Sequence, residues 1–520
     1  MLPSRRLTSS PSRCLPVAVQ PVLRLSVLGA LLGLAGCMVG PDYVRPQVSV
    51  PATFKEASPG WKHAEPADTA PRGEWWRMFG DPTLDALVAR VDLSNQTVAS
   101  YAASWRQARA LVDNVRAGLF PTVSANASES RSGSGAGSSG NTAYYGSSSR
   151  TRNSYTANLS ASWELDLWGS VRRSTAAQRA SAESAAAEVA NARLSAQATL
   201  VQTYYQLRAS DATQALLDDT VASYERTLTL TQNRYAQGVV GRADVIQAQT
   251  QLQNAQASAL DNRINRATYE HAIAVLVGEP ASTFSLAPAP LDAEPPAIPA
   301  ALPSSLLERR PDIAVAERRA AAANERIGVA TAALFPSLTL DAQGGFQSSS
   351  FSNWLSAPAR YWSLGPSLAL TVFDAGARRA QIAAERADYD NQVALYKQSV
   401  LEAFQDVEDN LATLRVLADE EVRRRQAVEN ARQALDIETN AYRAGTVTFL
   451  DVLTAQNTLL SSRQTLSDVR GRRMVATAGL VKALGGGWNG DLEQPSASLE
   501  AASAARAEAS QANSQGGTPD

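Results

Sequence analysis

Residues 155–165 read YTANLSASWEL, and their alternation decides the fold. In an extended strand Tyr155, Ala157, Leu159, Ala161, Trp163 and Leu165 share one face, and Thr156, Asn158, Ser160, Ser162 and Glu164 share the other. Residues 362–372 repeat the pattern, with Trp362, Leu364, Pro366, Leu368, Leu370 and Val372 as the apolar set. Residues 122–128 and 338–347 alternate more weakly. The spacing predicts four strands of about ten residues in two hairpins, about 119–168 and about 334–374. Aromatic residues gather near their ends (Tyr144, Tyr145, Trp168; Phe351, Trp354, Tyr361). A soluble sheet with one wet face carries this pattern, and so does an outer-membrane barrel. Four strands cannot close a membrane barrel, which takes roughly eight or more. In lipid an open edge leaves backbone groups unsatisfied at several kcal/mol each. A membrane sheet of this kind must therefore be completed by oligomerisation, two copies giving eight strands and three giving twelve.

The N-terminus favours the membrane reading. Arg5, Arg6, Arg13 and Arg24 precede the apolar run LSVLGALLGLAGC, the layout of a secretory signal over 1–36. Its end, LAGC at 34–37, matches the bacterial lipobox, in which cleavage before Cys37 leaves that residue to carry lipid; an ordinary signal with an incidental cysteine is the plainer alternative. Acyl chains contribute about 0.8 kcal/mol per buried CH₂ to anchoring. Met38 follows the cysteine, whereas an aspartate there would point to retention in the inner membrane. Beyond Cys37 no stretch approaches the ~20 apolar residues of a membrane-spanning helix.

Between the strands lie helical patterns far longer than those of ordinary globular helices. From about 377 to 443 the apolar positions run Val393, Tyr396, Val400, Phe404, Val407, Leu411, Leu414 and Ala418, in steps of three and four without an intervening proline. A second pattern covers about 170–236, with Leu217, Val221, Tyr224, Leu228, Thr231 and Tyr235. Such a helix is roughly 100 Å long at ~1.5 Å per residue. Dense alanine (AESAAAEVANARLSAQA) favours helix and lets neighbouring backbones approach closely, on more than one side. Shorter helices are expected at about 82–118, 243–277, 304–333 and 450–484.

The chain is internally duplicated. RYAQGVVGRADV at 234–245 recurs as AYRAGTVTFLDV at 441–452, pairing Tyr235 with Tyr442, Gly238 with Gly445, Val240 with Val447, Asp244 with Asp451 and Val245 with Val452, all offset by 207. Gly169 and Gly376 share that offset, while LFP at 119–121 recurs at 334–336, offset by 215. The extra residues fall in the Ser/Gly-rich run RSGSGAGSSGNTAYYGSSS, where loop length costs little. The expected organisation is a lipid-anchored segment at 37–80, repeat one at 81–279, a Pro-rich linker at 280–303, repeat two at 304–488, and a disordered tail at 489–520.

Composition closes off other classes. Lysine and arginine (48) nearly balance aspartate and glutamate (50), so nucleic acid is not a favoured partner. Cys14 and Cys37 are the only cysteines, which leaves no disulfide framework or cysteine metal site in the body. His63 and His271 are isolated, and no phosphate loop or metal-spaced ligand set appears; neither enzyme chemistry nor a cofactor is expected beyond the covalent lipid on Cys37.

Several ordered motifs together resemble the TolC-like outer membrane factors, in their NodT-type lipoprotein branch: CMVGPDYVRP (37–46), WWRMFGDPTLDALV (75–88), RRPDIAVAERR (309–319), the paired LFP tripeptides, FDAGARR (373–379) and LGGGW (484–488). The resemblance implies an α+β membrane protein. Its homotrimer would form one 12-stranded β-barrel, four strands per chain, continuous with a long periplasmic α-helical coiled-coil barrel. It further implies the exit duct of a tripartite efflux pump for drugs and other toxic small molecules, docked on a periplasmic adaptor and an inner-membrane transporter of the resistance-nodulation-division (RND) type. A duct for type I protein secretion or metal export is the alternative within that class, although methionine clusters for soft metals are lacking. A periplasmic coiled-coil scaffold lipoprotein is the alternative outside it.

In that family the repeated segments are helix–turn–helix tips that narrow the periplasmic entrance and meet the adaptor. Carried over, Gly238, Val239, Val240, Gly445, Thr446 and Val447 are docking tips, and Asp244, Asp451, Tyr442, Arg443 and Arg242 belong to the gate. Tyr442 matches a tyrosine that ties neighbouring tips closed. Val447 stands where some members have an arginine, and Thr454 where many have a second acid. By their own chemistry the glycines end helices in the left-handed conformation. Asp244 and Asp451 either cap the returning helix or, multiplied by threefold symmetry, ring an entrance with carboxylates that select cations. Pro311 in RRPD reads as a helix start, and Asn158 and Asp341 as residues facing a water-filled lumen.

Overall fold

A computed structural model describes residues 38–51, 53–56, 74–134, 150–291, 293–296, 298 and 309–488. The leader, Cys37, His63, Tyr144, Tyr145, residues 304–308 and the tail lie outside the described residues. The elements run α1 Pro82–Ser94, α2 Gln96–Arg116, β1 Thr122–Ser134, β2 Arg150–Leu165, α3 Ser170–Ala236, α4 Arg242–Leu276, α5 Pro311–Ala332, β3 Ser337–Ser348, β4 Arg360–Ala369, α6 Ala377–Ala444 and α7 Phe449–Ala483. The chain divides into two compact units: one holds residues up to 43 with 112–177 and 323–388, the other 44–111, 178–322 and the chain from 389 onward. No described helix is long and apolar enough to cross a membrane.

The first unit is built on one antiparallel sheet in the order β1-β2-β3-β4. Its register aligns the alternation seen in the sequence across all four strands: Ala125 opposes Leu159, Leu159 opposes Gly344, and Gly344 opposes Trp362. Directly opposed residues point the same way. One face therefore carries Val123, Leu159, Trp163, Leu340, Trp362 and Leu364, and the other the Ser, Thr, Asn, Gln and Asp residues. Asp341 lies on the polar face, accepting a hydrogen bond from Ser162 Oγ at 2.7 Å. Among the described residues the apolar face has no covering layer, with Trp362 81%, Leu364 72%, Leu368 68% and Leu159 60% exposed. A polar face backed by an uncovered apolar one is the reverse of a soluble sheet, which hides its apolar side.

Strand lengths depart from the expected ten. β1 and β2 extend to 13 and 16 residues. β4 stops at Ala369 rather than running to 372, because Ala369 already opposes Ser337 and the next position on β3 is Pro336, which has no N–H to offer the ladder.

The second unit is helical. A 3₁₀ turn, Trp75–Phe79, delivers Trp75, Trp76 and Phe79 into a core. Gly80 at φ 66° ends that turn, and Asp81 then caps α1 by accepting from Thr83 and Leu84 N–H at 2.9 and 3.2 Å. Leu84, Leu87, Val88 and Val91 form one stripe of α1 and bury against Leu194, Val201 and Tyr205 of α3 and Ile273 of α4. Each such residue contributes about 1.5–3 kcal/mol by leaving water. The expected helix at 82–118 is broken: Asn95 adopts extended backbone (φ −66°, ψ 122°), and its Oδ1 accepts from Val98 N–H at 3.0 Å, starting α2 afresh.

The two long helices hold 67 and 68 residues, and both returning helices hold 35. Small residues bring them together: a Cβ on Gly471 of α7 would sit 2.8 Å from that of Ala209 on α3. Buried charge is also present. Glu421 of α6 takes hydrogen bonds from Arg425 (2.6 Å), Arg470 (3.1 Å) and Arg473. Burial alone would raise the Glu421 pKa, but the bonds from Arg473, Arg425 and Arg470 outweigh it and hold the carboxyl below the usual glutamate range. Pro311 begins α5 as expected, with the buried Arg310 beside it paired to Asp406 at 3.0 Å and donating to Ala483 O at 3.1 Å. The described part of the Pro-rich linker has no regular structure. It is held by Arg208 to Ala287 O (2.8 Å) and Arg266 to Leu286 O (2.6 Å).

Candidate functional site

The two repeated segments are helix–turn–helix tips of the second unit, and their first turns share one backbone hydrogen-bond pattern. At the end of α3, Gly238 N–H donates to Tyr235 O (2.9 Å) and Val239 N–H to Arg234 O (3.0 Å). At the end of α6, Gly445 N–H donates to Tyr442 O and Thr446 N–H to Ala441 O, both at 3.0 Å. Each is a Schellman ending, and it needs a left-handed residue, which the glycines supply at φ 73° and 77°. The same motif, again 207 residues apart, ends α4 at Gly278 and α7 at Gly485.

The tips then diverge. Position 241 is glycine and offers α4 no side-chain cap; Asp244 sits half-buried in the first turn, with its N–H donating to Gly241 O at 3.2 Å. The matching position 448 is threonine. Thr448 N–H and Oγ1 both donate to the Asp451 carboxylate, at 2.9 and 2.7 Å, in a capping box. The hydroxyl bond, then the backbone one, holds the exposed Asp451 carboxyl below the ordinary aspartate range. Asp451 is thus engaged in helix capping, whereas Asp244 makes no comparable contact among the described residues.

The tyrosines part in the same way. Tyr235 is 46% exposed and Tyr442 only 6%. Tyr442 packs with Phe449, Val452 and Leu453 of its own tip and Ala248 of the other. Arg234, from the first tip, lies over its ring at 4.4 Å from the centroid and donates to its backbone oxygen at 3.1 Å. The Tyr442 hydroxyl is buried without a hydrogen-bond partner among the described residues. Tyr442 therefore joins the two tips of one chain to each other. Arg443 is exposed, reaching Asn440 Oδ1 at 3.5 Å, and Arg242 is exposed as well. Val239 is exposed, Thr446 is exposed with its hydroxyl donating to Ala441 O at 3.0 Å, and Val240 and Val447 are half-buried.

Three residues at this site escaped the sequence reading. Thr448 had a legible signal, a Thr three positions before Asp at a helix start. Arg234 and Phe449 had none, because their counterparts in the other copy are Ala441 and Arg242.

Further along these helices a polar cleft of about 580 Å³ opens between α3, α4, α6 and α7, lined by Gln202, Gln206, Asn262, Asn265, Asn410 and Asp468 among others. No described group of acidic, histidine or cysteine side chains could hold a metal ion. Geometry and chemistry thus amount to a polar helical wall, two turns at one end of it, and an amphipathic sheet.

Comparison with known proteins gives these parts a context. The model of a family described as outer membrane efflux protein matches residues 87–279 and 302–486, one match in each repeat. The toluene efflux pump outer membrane protein TtgC of Pseudomonas putida is 33% identical over 474 residues, covering 90% of this chain and 96% of that one. The pyoverdine export outer membrane protein OpmQ of Pseudomonas aeruginosa is 32% identical over 475 residues, covering 90% and 97%. Among solved structures, the outer-membrane channel OprN superposes with a TM-score of 0.79 at 32% identity, covering 87% of this chain and 100% of that one.

Proposed function

The chain belongs to the outer membrane efflux protein family, and from that premise we propose that three copies assemble into one exit duct of a tripartite pump. It is an outer-membrane component of an efflux system, in a family of channels rather than enzymes. The observation that carries the assembly is the sheet, whose β1 and β4 each have only one strand partner among the described residues while its apolar face lies bare of them. In lipid the bare face is satisfied and the two edges are not. Three sheets joined edge to edge make a 12-stranded barrel with the Ser- and Asn-rich face, including Asn158 and Asp341, around a water-filled lumen.

The helices build a periplasmic barrel, with the polar cleft of α3, α4, α6 and α7 as part of its inner wall. Gly238, Val239, Val240, Gly445, Thr446 and Val447 dock a periplasmic adaptor that links the duct to an inner-membrane RND-type transporter. Asp244, Asp451, Tyr442, Arg443 and Arg242 form the entrance, and Cys37 carries the lipid. The names of the two relatives, toluene efflux and pyoverdine export, favour small organic cargo over a secreted protein. Cargo is chosen upstream, by the transporter.

Reconstituted full-length protein should run as an SDS-resistant trimer and give discrete single-channel conductance in planar bilayers. A monomer without conductance would overturn the duct reading. Cysteines placed beside Gly238 and Gly445 should capture the adaptor by crosslinking.

A further inference from the structure

One buried group in the first unit has no part in the duct as described. Arg173, in the first turn of α3, is 2% exposed. An arginine at that position would ordinarily extend into water; burying it is costly without partners. Its partners come from the segment that follows Cys37 and from α5. Nη2 pairs with Asp42 at 2.9 Å, Nη1 pairs with Glu325 of α5 at 2.9 Å, and Nε and Nη2 donate to the carbonyls of Val39 and Gly40, both at 3.3 Å.

The surroundings are shaped for the same five residues. Val39 N–H donates to Trp168 O at 3.1 Å, and Asn324 Nδ2 donates to Pro41 O at 3.1 Å. Gly40, at φ 101°, lies so close to Gly328 that a Cβ would enter its backbone, and Gly169, at φ 81°, lies equally close to Met38. Every residue from 38 to 42 is thus held by a side chain, a carbonyl or a glycine on 168–173 or 324–328.

The socket lies where β2 ends at Leu165 and β3 begins at Ser337, beside the stacked rings of Trp168 and Phe335 (4.6 Å between centroids). Aromatic residues at strand ends mark the level of a membrane interface. We propose that Arg173 is a positioning residue for the mature N-terminus, the centre of an intrachain socket that seats residues 38–42 and holds a lipid on Cys37 at the depth of the strand ends. Without the socket, five residues allow Met38 to move by up to about 17 Å, more than half of the ~30 Å hydrocarbon core. With it, acyl anchor and barrel share one fixed depth. The socket stands on the structure alone; its bearing on lipid depth rests on the proposal that Cys37 is acylated.

Hydrogen exchange on full-length protein purified from outer membranes tests the socket. Arg173→Met removes its centre, and Gly40→Ala blocks seating from the segment's side while leaving Arg173 and Glu325 paired. In both, the Val39 amide should exchange at least about tenfold faster than in the parent, while β2 and β3 amides keep their protection. Parental protection at Val39 in a folded Gly40→Ala protein overturns the proposal, even where Arg173→Met does not fold. Cys37→Ser should leave Val39 protected, since the socket does not need the lipid; exposure of Val39 there would also overturn it. A fluorophore on Met38→Cys, quenched by lipids spin-labelled at graded depths, should report one depth in the parent and a broad range in Gly40→Ala. Equal narrowness in both refutes the depth-setting role. Mass spectrometry of the parent N-terminus tests acylation separately.

Discussion

Arg234→Ala is the most direct probe of how the two tips are held together. The guanidinium lies 4.4 Å from the Tyr442 ring centroid and donates to the Tyr442 carbonyl at 3.1 Å. At this partly exposed site the low ends apply, about 0.5 kcal/mol for the cation–π contact and about 1.5 kcal/mol for a hydrogen bond from a charged donor. Losing roughly 2 kcal/mol shifts a local equilibrium about 30-fold, at ~1.4 kcal/mol per tenfold. The amides of Gly445 and Thr446, bonded within the second turn, report that equilibrium through native-state hydrogen exchange. Their protection should fall about 30-fold in Arg234→Ala. It should fall roughly half as far on a logarithmic scale in Arg234→Lys, which keeps the charge and loses the planar stack. Arg443→Ala is the control, since its contact with Asn440 is 3.5 Å long at an exposed site. In planar bilayers Arg234→Ala should raise the open fraction of the duct. Protection within about twofold of the parent would refute the reasoning, because the contact would then hold nothing.

Asp451→Asn should lower cation selectivity in bilayers if the carboxylate serves the entrance; an unchanged reversal potential assigns it to capping alone. Because its folded pKa is depressed, its contribution to the tip is present above the ordinary aspartate range and fades as pH falls through the lowered value. Thr448→Ala, which removes the hydroxyl bond, should move that fading to higher pH, read from the tip's exchange against pH. Glu421→Gln leaves three arginines around a neutral amide and should cost about 3 kcal/mol, the low end for a broken buried pair because Arg425 and Arg470 are 52% and 43% exposed. Glu420→Gln, a half-buried i,i+4 partner of the exposed Arg424, should cost under about 1 kcal/mol. The Glu421 pKa is also depressed, so this stability is full above the ordinary glutamate range and lost on acidification through the folded value. Denaturant midpoints of both variants at neutral pH and near pH 3 check the difference; equal shifts refute it.

The long elements were legible because each is governed by one local rule repeated many times. The steps of Tyr396, Val400, Val407 and Leu411 reappear as buried positions of α6, and the alternation of 155–165 reappears as the two faces of β2. What could not be read were the ends set by a partner. Asn95 breaks the 82–118 pattern because its amide, besides starting α2, donates to Leu276 O at 2.8 Å, a contact 181 residues away. β4 ends at Ala369 because the strand beside it begins after Pro336. Neither fact is written near the residue it affects.

The tips carry the same lesson one level up. Duplication gave both copies the glycine, and the glycine imposes the same Schellman turn, so the turns were readable twice over. The residues that make the copies different lie outside the shared pattern: Arg234 against Ala441, Gly241 against Thr448, Arg242 against Phe449. In the second copy these exchanges add a capping box and an aromatic contact, Tyr442 with Phe449 at 5.6 Å between centroids, and in the first they supply the arginine that covers it. Symmetric tips would each be complete alone and free to move separately. Departures from the repeat link the two: the second tip packs its tyrosine against its own Phe449, Val452 and Leu453, and Arg234 and Ala248 of the first complete its cover. The position of one tip therefore bears on the other within a chain, before any neighbouring chain is involved. That coupling is why Arg234, outside every shared position of the repeat, is the residue to change.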